Sequence, residues 1–361
     1  MSKRTIFLIF IVLIVSFLTF AFLFWFQNGK SAEKIIGISL TPTSSPKTLT
    51  LEKIFAADHS QTASLSAQNV VTIIATGDVI PARSVNYQTI KYNDFRWPFE
   101  KTADFLKNAD LTVINLESPL IPNCPVVNDG MTFCGDSRHI QGLTFAGIDV
   151  ATLENNHTDN YGETGIENTV KVLNDAGIKA VRENSPQTVD IKGTKFAFLA
   201  YHDLVNPQNN TVSAVEEKIA NDIKQAKKSA NVVIVAFHWG VEYTEQPTER
   251  QKMLAHLAID SGADLILGNH PHQIEPVEIY KNKLIVYAHG NFVFDQMWSE
   301  ETKQGVVGRY TFSNGQLIDT QFFPVYIKDY GQPYFLEGEE KEKILTKMKT
   351  ISMTLATNPT Q

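Results

Sequence analysis

Residues 263–272 read Ala-Asp-Leu-Ile-Leu-Gly-Asn-His-Pro-His. A short apolar run stops at a glycine, and two histidines then flank a proline. Such a run, bounded by turn residues, suits a buried strand. Pro271 fixes its own φ and biases His270 toward an extended backbone. Both imidazoles are therefore expected on a stiff corner at a strand end, with little freedom to lose on binding. Neutral imidazole is a common ligand for divalent metals. Taken alone, the pair reads equally well as two loop histidines bonded to backbone or water. The choice depends on whether other strands deliver matching groups to the same place.

Outward from this corner the chain alternates β-branched runs with amphipathic stretches. Residues 71–75 read as a buried strand that turns out through Thr76-Gly77-Asp78. Residues 111–115 form a second, followed by Leu116-Glu117, and 151–153 a short third, ahead of Glu154-Asn155-Asn156-His157. Residues 162–176 place Ile166, Val170 and Leu173 on one face and stop at Gly177, the pattern of a helix. Residues 196–200 read as a strand and 215–229 as a helix. A continuous apolar run at 232–237 ends at His238, and 248–260 is the helix before the strand 265–267. Residues 284–287 lead to His289-Gly290-Asn291, and 310–312 with 317–323 suggest a hairpin around Asn314-Gly315. This order argues an α/β domain with antiparallel additions on its C-terminal side. The charged segment 337–357 reads as a surface helix or a frayed tail. No internal repeat is apparent.

In an α/β sheet, residues just past the carboxyl ends of strands converge on one crevice. Asp78, Glu117, Asn156 with His157, His238, and His270 with His272 each follow a different expected strand. Carboxylate oxygen together with imidazole suits zinc, manganese or iron. Each residue has an ordinary alternative, Asp78 as a turn or cap and Asn156 as a turn residue. Their joint convergence is what favours a metal site.

The N-terminus differs from the rest. Lys3 and Arg4 precede an uninterrupted apolar run, 6–26, with Trp25 at its outer end. That is long enough to cross a hydrocarbon core of about 30 Å. The basic residues favour a cytoplasmic tail at 1–5 and a chain continuing outside. A cleaved signal peptide is the rival, but Gln27-Asn28-Gly29-Lys30 offers no Ala-x-Ala-like site. Residues 27–69, rich in Ser, Thr, Ala and Pro, read as a flexible tether. The expected organisation is thus an anchored single-pass protein of the cell membrane, a folded extracytoplasmic domain over 70–330 and a tail over 331–361. Only two cysteines occur, Cys124 and Cys134. In an exported domain a disulfide closing this short loop is the natural reading. A metal pair would need partners at zinc-finger spacing that are missing, and free thiols would suit a cytosolic domain. The net charge of −7 argues against a nucleic-acid partner.

Several motifs occur together and in order: Gly77-Asp78 with Arg83, Asn115-Leu116-Glu117, and Asn155-Asn156-His157-Thr158-Asp159 with Gly162 and Gly165. His238-Trp239-Gly240-Val241-Glu242-Tyr243, Gly268-Asn269-His270-Pro271-His272 and Gly290-Asn291-Phe292 complete the set. As a set these resemble CapA-type proteins of poly-γ-glutamate capsule biosynthesis, relatives of the calcineurin-like metallophosphoesterases, over roughly residues 70–323. The resemblance implies a four-layer α/β/β/α sandwich with two divalent metals at the strand ends. Asp78 and His272 would serve the first metal, Glu117 would bridge, and Asn156, His238 and His270 would serve the second. Such a pair polarises a phosphoryl or carbonyl oxygen and activates water. His157 would be the general acid, with Asp159 orienting it or capping the turn. Arg83, Glu242 and Asn291 would face substrate, Glu242 alternatively holding Tyr243 and its loop.

Two departures separate this chain from the wider superfamily. Ile80 stands where a histidine of the first motif, Asp-x-His, is usual, and Glu117 replaces a bridging aspartate. The first metal is thereby left short of a ligand. His289 stands where an apolar residue is expected, as an extra site residue or a satisfied strand-end histidine. The cysteine loop follows Glu117 and is expected to overhang the site. Dinucleotide, Walker, nucleophile-elbow and His-Glu-x-x-His motifs are missing, which removes those classes. Three readings remain: a metal-dependent hydrolase of a phosphoester or an amide of an anionic polymer, a non-catalytic polymer-binding member of a capsule synthase complex, and a nucleotidase or phosphodiesterase unrelated to capsule.

Overall fold

Val71, Ile73 and Ala75 alternate with Ile74 along one strand, and the alternation sends them to different cores. Successive side chains of a strand face opposite ways, so a strand apolar on both faces needs cover on both. The computed structural model describes residues 16, 18, 19, 49–60, 70–204 and 215–357. The expected membrane span lies outside these apart from Ser16, Leu18 and Thr19, which are helical. Among the described residues no helix is long and apolar enough to cross a membrane. The chain divides into two units, Met1–Pro46 and Lys47–Gln361, and every described strand belongs to the second.

In chain order the strands are β1 (Val70–Val79), β2 (Leu111–Leu116), β3 (Leu120–Ile121), β4 (Gly135–Asp136), β5 (Val150–Thr152), β6 (Lys179–Val181), β7 (Gln187–Ile191) and β8 (Thr194–Asp203). There follow β9 (Val232–Trp239), β10 (Leu265–Asn269), β11 (Val277–Tyr280), β12 (Lys283–Val286), β13 (Asn291–Val293), β14 (Gln304–Ser313), β15 (Gln316–Lys328) and β16 (Gln332–Phe335). One sheet runs β16-β15-β14-β1-β2-β5-β6, with β13 beside the end of β1, and the other β11-β12-β10-β9-β8-β7. The strands β1, β2, β5 and β6 are parallel, as are β8, β9, β10 and β12. The strands β14, β15 and β16 of the first sheet and β7 and β11 of the second pair antiparallel, while the edge strand β6 is parallel. The α/β class expected from the sequence holds.

The sheets face each other through one apolar core, Ile73, Val113 and Phe312 from the first meeting Phe198, Ile234 and Leu267 from the second. Behind the first sheet, Ile74, Ile114 and Leu116 pack with Leu106, Leu143 and Leu173 of the helices Ala103–Leu106, Ile140–Phe145 and Gly162–Asp175. Behind the second, Leu199, Val235 and Phe237 pack with Ile223 of Glu216–Ser229 and Leu254 of Glu249–Ser261. The layers therefore run helix, sheet, sheet, helix. The helix Glu249–Ser261 starts at a Thr248–Gln251 capping box and stops at Gly262, φ 116°. Losing such a cap costs about 1 kcal/mol.

Two segments differ from expectation. Within 27–69, read as a tether, Leu49 and Ile54 are buried in the inter-sheet core and Phe55 stacks on Phe322. These apolar side chains fill the open edge beside β15 and so draw that part of the segment onto the domain. The segment 337–357, read as a surface helix or a frayed tail, is the helix Gly338–Thr357, but its Ile344 and Met348 enter the same core, and β16 precedes it within the expected tail.

Candidate metal centre

The parallel strands set the site by ending together. Register pairs Asp78 with Asn115 and with Asn291, and His238 with Asn269. Asp78 lies inside the end of β1 rather than in a turn, because its amide donates to Gly290 O at 2.9 Å. Gly77 makes that approach possible: a Cβ there would lie 2.2 Å from Gly290 O. Gly268 has the same role at the end of β10, where a Cβ would meet Tyr287 O at 1.8 Å. His270 has φ 101° and His272 φ 55°, so His270 is not extended as its proline neighbour suggested. The turn brings the His270 amide to 3.3 Å from Asp78 Oδ2. Such a backbone costs about 1–3 kcal/mol and persists only where the surroundings enforce it.

Of the expected ligands, Asp78, Glu117, His238, His270 and His272 come together and are buried, with half-buried Asn156 beside His238. Asp78, Glu117 and His272 form one group of donor atoms lying within 4.8 Å of one another, and Glu117, His238 and His270 form a second. Glu117 belongs to both. His272 Nδ1 is 3.2 Å from Asp78 Oδ2. His238 Nε2 lies 2.8 Å from Asn156 Oδ1, 3.1 Å from His270 Nδ1 and 3.4 Å from Glu117 Oε1. One ring nitrogen carries at most one proton and cannot bond all three. Glu117 Oε1 is buried with no hydrogen-bond partner. A cation among these atoms would satisfy all of them, so the donor set fits a metal of the zinc, manganese or iron type.

Electrostatics separate the two groups. Burial raises Glu117 well above the ordinary carboxylate range, and the Asp78 charge adds to the rise. Burial opposes ionisation of Asp78 too, but the His272 hydrogen bond and charge win and lower it to about 2. For His272, burial disfavours the cation, yet Asp78 and Glu117 together raise it to about 9. Burial lowers His238 to about 3 and His270 well below its usual value. Both are therefore neutral, the state in which imidazole donates a lone pair.

The remaining expected residues divide. His157 is buried, and its Nδ1 lies 2.9 Å from Asn160 Oδ1. Asp159, expected to orient that ring, is exposed, and its carbonyl accepts the Gly162 amide in the turn before the helix. Asn291, expected on substrate, has its Oδ1 2.9 Å from His272 Nδ1, and its Nδ2 donates to Thr302 O at 2.8 Å. Arg83, also expected on substrate, has a side chain only 11% exposed, paired with Asp295 and donating to Gly130 O at 3.2 Å. Its Nε is buried without a hydrogen-bond partner. Glu242 is half-buried, and its charge acts on Glu117, His157 and His272. His289 is a satisfied strand-end histidine, its Nδ1 3.0 Å from Gly268 O and its Nε2 2.7 Å from Tyr310 OH. Cys124 and Cys134 form the disulfide.

Three site residues, Asn115, Asn155 and Asn160, were given no role by the sequence reading. Asn115 Nδ2 donates to Asp78 Oδ1 at 2.8 Å, and Asn155 Nδ2 lies 3.2 Å from Asn115 Oδ1. Asn115 sits two residues before Glu117, on the same strand face, and that spacing was a readable signal. Asn160 had only its position three residues after His157.

The family described as bacterial capsule synthesis protein PGA_cap matches residues 72–296. The chain is 29% identical over 270 residues to the capsule biosynthesis protein CapA of Bacillus anthracis, covering 69% of this chain and 66%, just under two thirds, of that protein. It is 28% identical over 266 residues to the PGA biosynthesis protein CapA of Bacillus subtilis (strain 168), covering 69% and 70%. A solved structure described as a novel phosphatase from Mycoplasma pneumoniae is similar at a TM-score of 0.51 and 14% identity, over 73% of this chain and 95% of that one. At that identity the likeness is one of fold.

Proposed function

The chain belongs to the bacterial capsule synthesis protein family, as its motifs led us to expect, and from that premise we propose that it is a two-metal hydrolase. It acts on a phosphoester or a γ-glutamyl amide during synthesis of a poly-γ-glutamate capsule or a similar surface polymer. The observation that carries this reading is the sharing of Glu117 by two groups of buried donors. Asp78, Glu117 and His272 would hold one metal, and Glu117, Asn156, His238 and His270 the other. Divalent metals held there would polarise the oxygen under attack and activate water.

His157 handles the proton. Its Nδ1 is committed to Asn160, which leaves Nε2 for exchange with the reacting groups. Burial lowers the ring to about 4, so it is neutral near pH 7, and Nε2 would take the proton that the attacking water loses and pass it to the leaving group. Asn291 holds His272 and Asn115 holds Asp78 in the orientations described. The protein is anchored through 6–26 with its domain outside the cell membrane. The apolar run and the Cys124–Cys134 disulfide, which suits an oxidising compartment, support that placement.

A second reading is a non-catalytic component that binds or passes on polymer within a capsule synthase complex. The relatives' description as biosynthesis proteins favours it. Metal analysis of the full-length chain, with turnover of a generic phosphodiester and a γ-glutamyl amide by wild type and His270→Ala, separates the two. Two metals per chain and turnover lost in the variant support the hydrolase. A metal-free wild type, or equal turnover in both proteins, overturns it.

A further inference from the structure

The loop between β2 and β5 carries the disulfide and reaches the site through one side chain. Beside Cys134, the ring of Phe133 lies nearly flat on the imidazole of His157, with centroids 3.9 Å apart and planes at 18°. Phe133 is buried with Ile80, Ala82 and Phe294. Ile80, which stands where the wider superfamily places a histidine, thus forms part of the seat for this ring. The Arg83 guanidinium lies 4.7 Å from the Phe133 ring centre and 4.9 Å from that of Phe294, and it bonds back to the loop at Gly130 O. The loop is therefore tied down on three sides, by the disulfide, by Arg83 and by the apolar cluster.

Its backbone reaches His157 as well. The Phe133 N–H donates to Asn160 Oδ1 at 2.6 Å, and the same oxygen lies 2.9 Å from His157 Nδ1. A backbone N–H only donates, so it identifies the Asn160 atom as the acceptor oxygen and settles the amide's orientation. An acceptor facing Nδ1 requires Nδ1 to carry a proton. Nε2 has no hydrogen-bond partner among the described residues. In the neutral ring it therefore keeps the lone pair.

We propose that Phe133 and Asn160 are positioning residues, and that the disulfide-closed loop holds neutral His157 as its Nδ1–H tautomer with Nε2 open to the site. Only the use of Nε2 in proton transfer rests on the hydrolase reading; the tautomer and its dependence on the loop do not. A ring that merely packs would leave the tautomer unchanged when it is replaced, so the tautomer discriminates between the two roles.

The test is a two-bond proton–nitrogen correlation spectrum of zinc-loaded, full-length protein in detergent with nitrogen-15 histidine, at about pH 8, above the ordinary histidine pKa. His157→Gln assigns the signal by its loss. Wild type should show Nδ1–H alone, and Phe133→Tyr should keep it. Phe133→Leu, Asn160→Ala and the Cys124→Ser/Cys134→Ser double variant should lose it while zinc content stays that of wild type. Asn160→Ala leaves the apolar cluster untouched and decides the matter if Phe133→Leu does not fold. An Nε2–H signal in wild type, or Nδ1–H retained in Asn160→Ala, overturns the proposal. Turnover is recorded in parallel. Wild type without turnover but with the expected tautomers sinks the hydrolase and leaves the positioning; turnover with unmoved tautomers sinks the positioning alone. Where turnover is found, Asn160→Ala should lower kcat about tenfold or more with KM little changed.

Discussion

On one side of Glu117 lie Asp78 and His272; on the other lie His238, His270 and Asn156. Both sides are buried, yet they place their protons differently. On the first side burial opposes the His272 cation, but Asp78 and Glu117 outweigh it and raise the ring to about 9. On the second, burial prevails and both imidazoles are neutral. The side of Asp78 is thus the side that supplies a cation of its own. A metal entering there must displace a proton, whereas His238 and His270 already present lone pairs. The difference teaches that the two halves, though they share a ligand, should fill unequally.

The strongest test of this asymmetry removes what the halves share. Glu117→Gln should weaken metal binding on both sides by more than about a hundredfold, the upper end for outer-shell losses, and metal analysis after desalting should find neither site filled. Retention of one metal would show that Glu117 does not bridge. Next come the selective losses. His272→Ala should leave the second group able to bind, and His270→Ala the first, each keeping about one metal per chain in titrations with zinc or manganese.

Those two variants also allow the pH comparison. The His272 proton is present in the metal-free protein below about pH 9 and lost above it. A metal in the first group competes with that proton, so its affinity should fall about tenfold for each pH unit below 9. Glu117, raised well above the ordinary carboxylate range, adds the same competition to either group. His238 is lowered to about 3 and adds none near neutrality. The slope of log affinity against pH should therefore be steeper in His270→Ala than in His272→Ala by about one proton, read by calorimetry; equal slopes would erase the asymmetry. A smaller effect is expected from Asn291→Ala, which frees His272 and should weaken the first group alone by about 10- to 100-fold. Smallest of all, Asp159→Ala should leave metal content unchanged and shift unfolding by no more than about 0.5 kcal/mol in a denaturant titration, because the side chain is exposed.

Much of this was legible in the chain. The apolar runs before Asp78, Glu117, His238 and His270 each became a strand, and the parallel registers brought their ends together. Short elements were harder to read: β6 and β16, with three and four residues, carry too little periodicity to stand out. The helix Leu51–Ile54 hid in a segment of linker-like composition because its few apolar residues matter only against β15. At the site, residue type was readable and direction was not. Asp159 and Asn160 are neighbours in one turn, and only the path of that turn decides which meets His157. Arg83 and Asn291 have chemistry that suits a substrate, yet Asp295 and His272 engage them first.

By itself, then, the order of residues determined the α/β class, the strand ends that carry chemistry and the ligand types, because apolar periodicity and metal preference are local properties. Tertiary structure alone decided that His270 takes φ 101° despite its proline and that Phe133 comes to rest on His157. Each of these depends on contacts between segments far apart in the chain. Burial then turns such contacts into shifted proton affinities, because a charge removed from water takes its state from whichever neighbours the fold supplies.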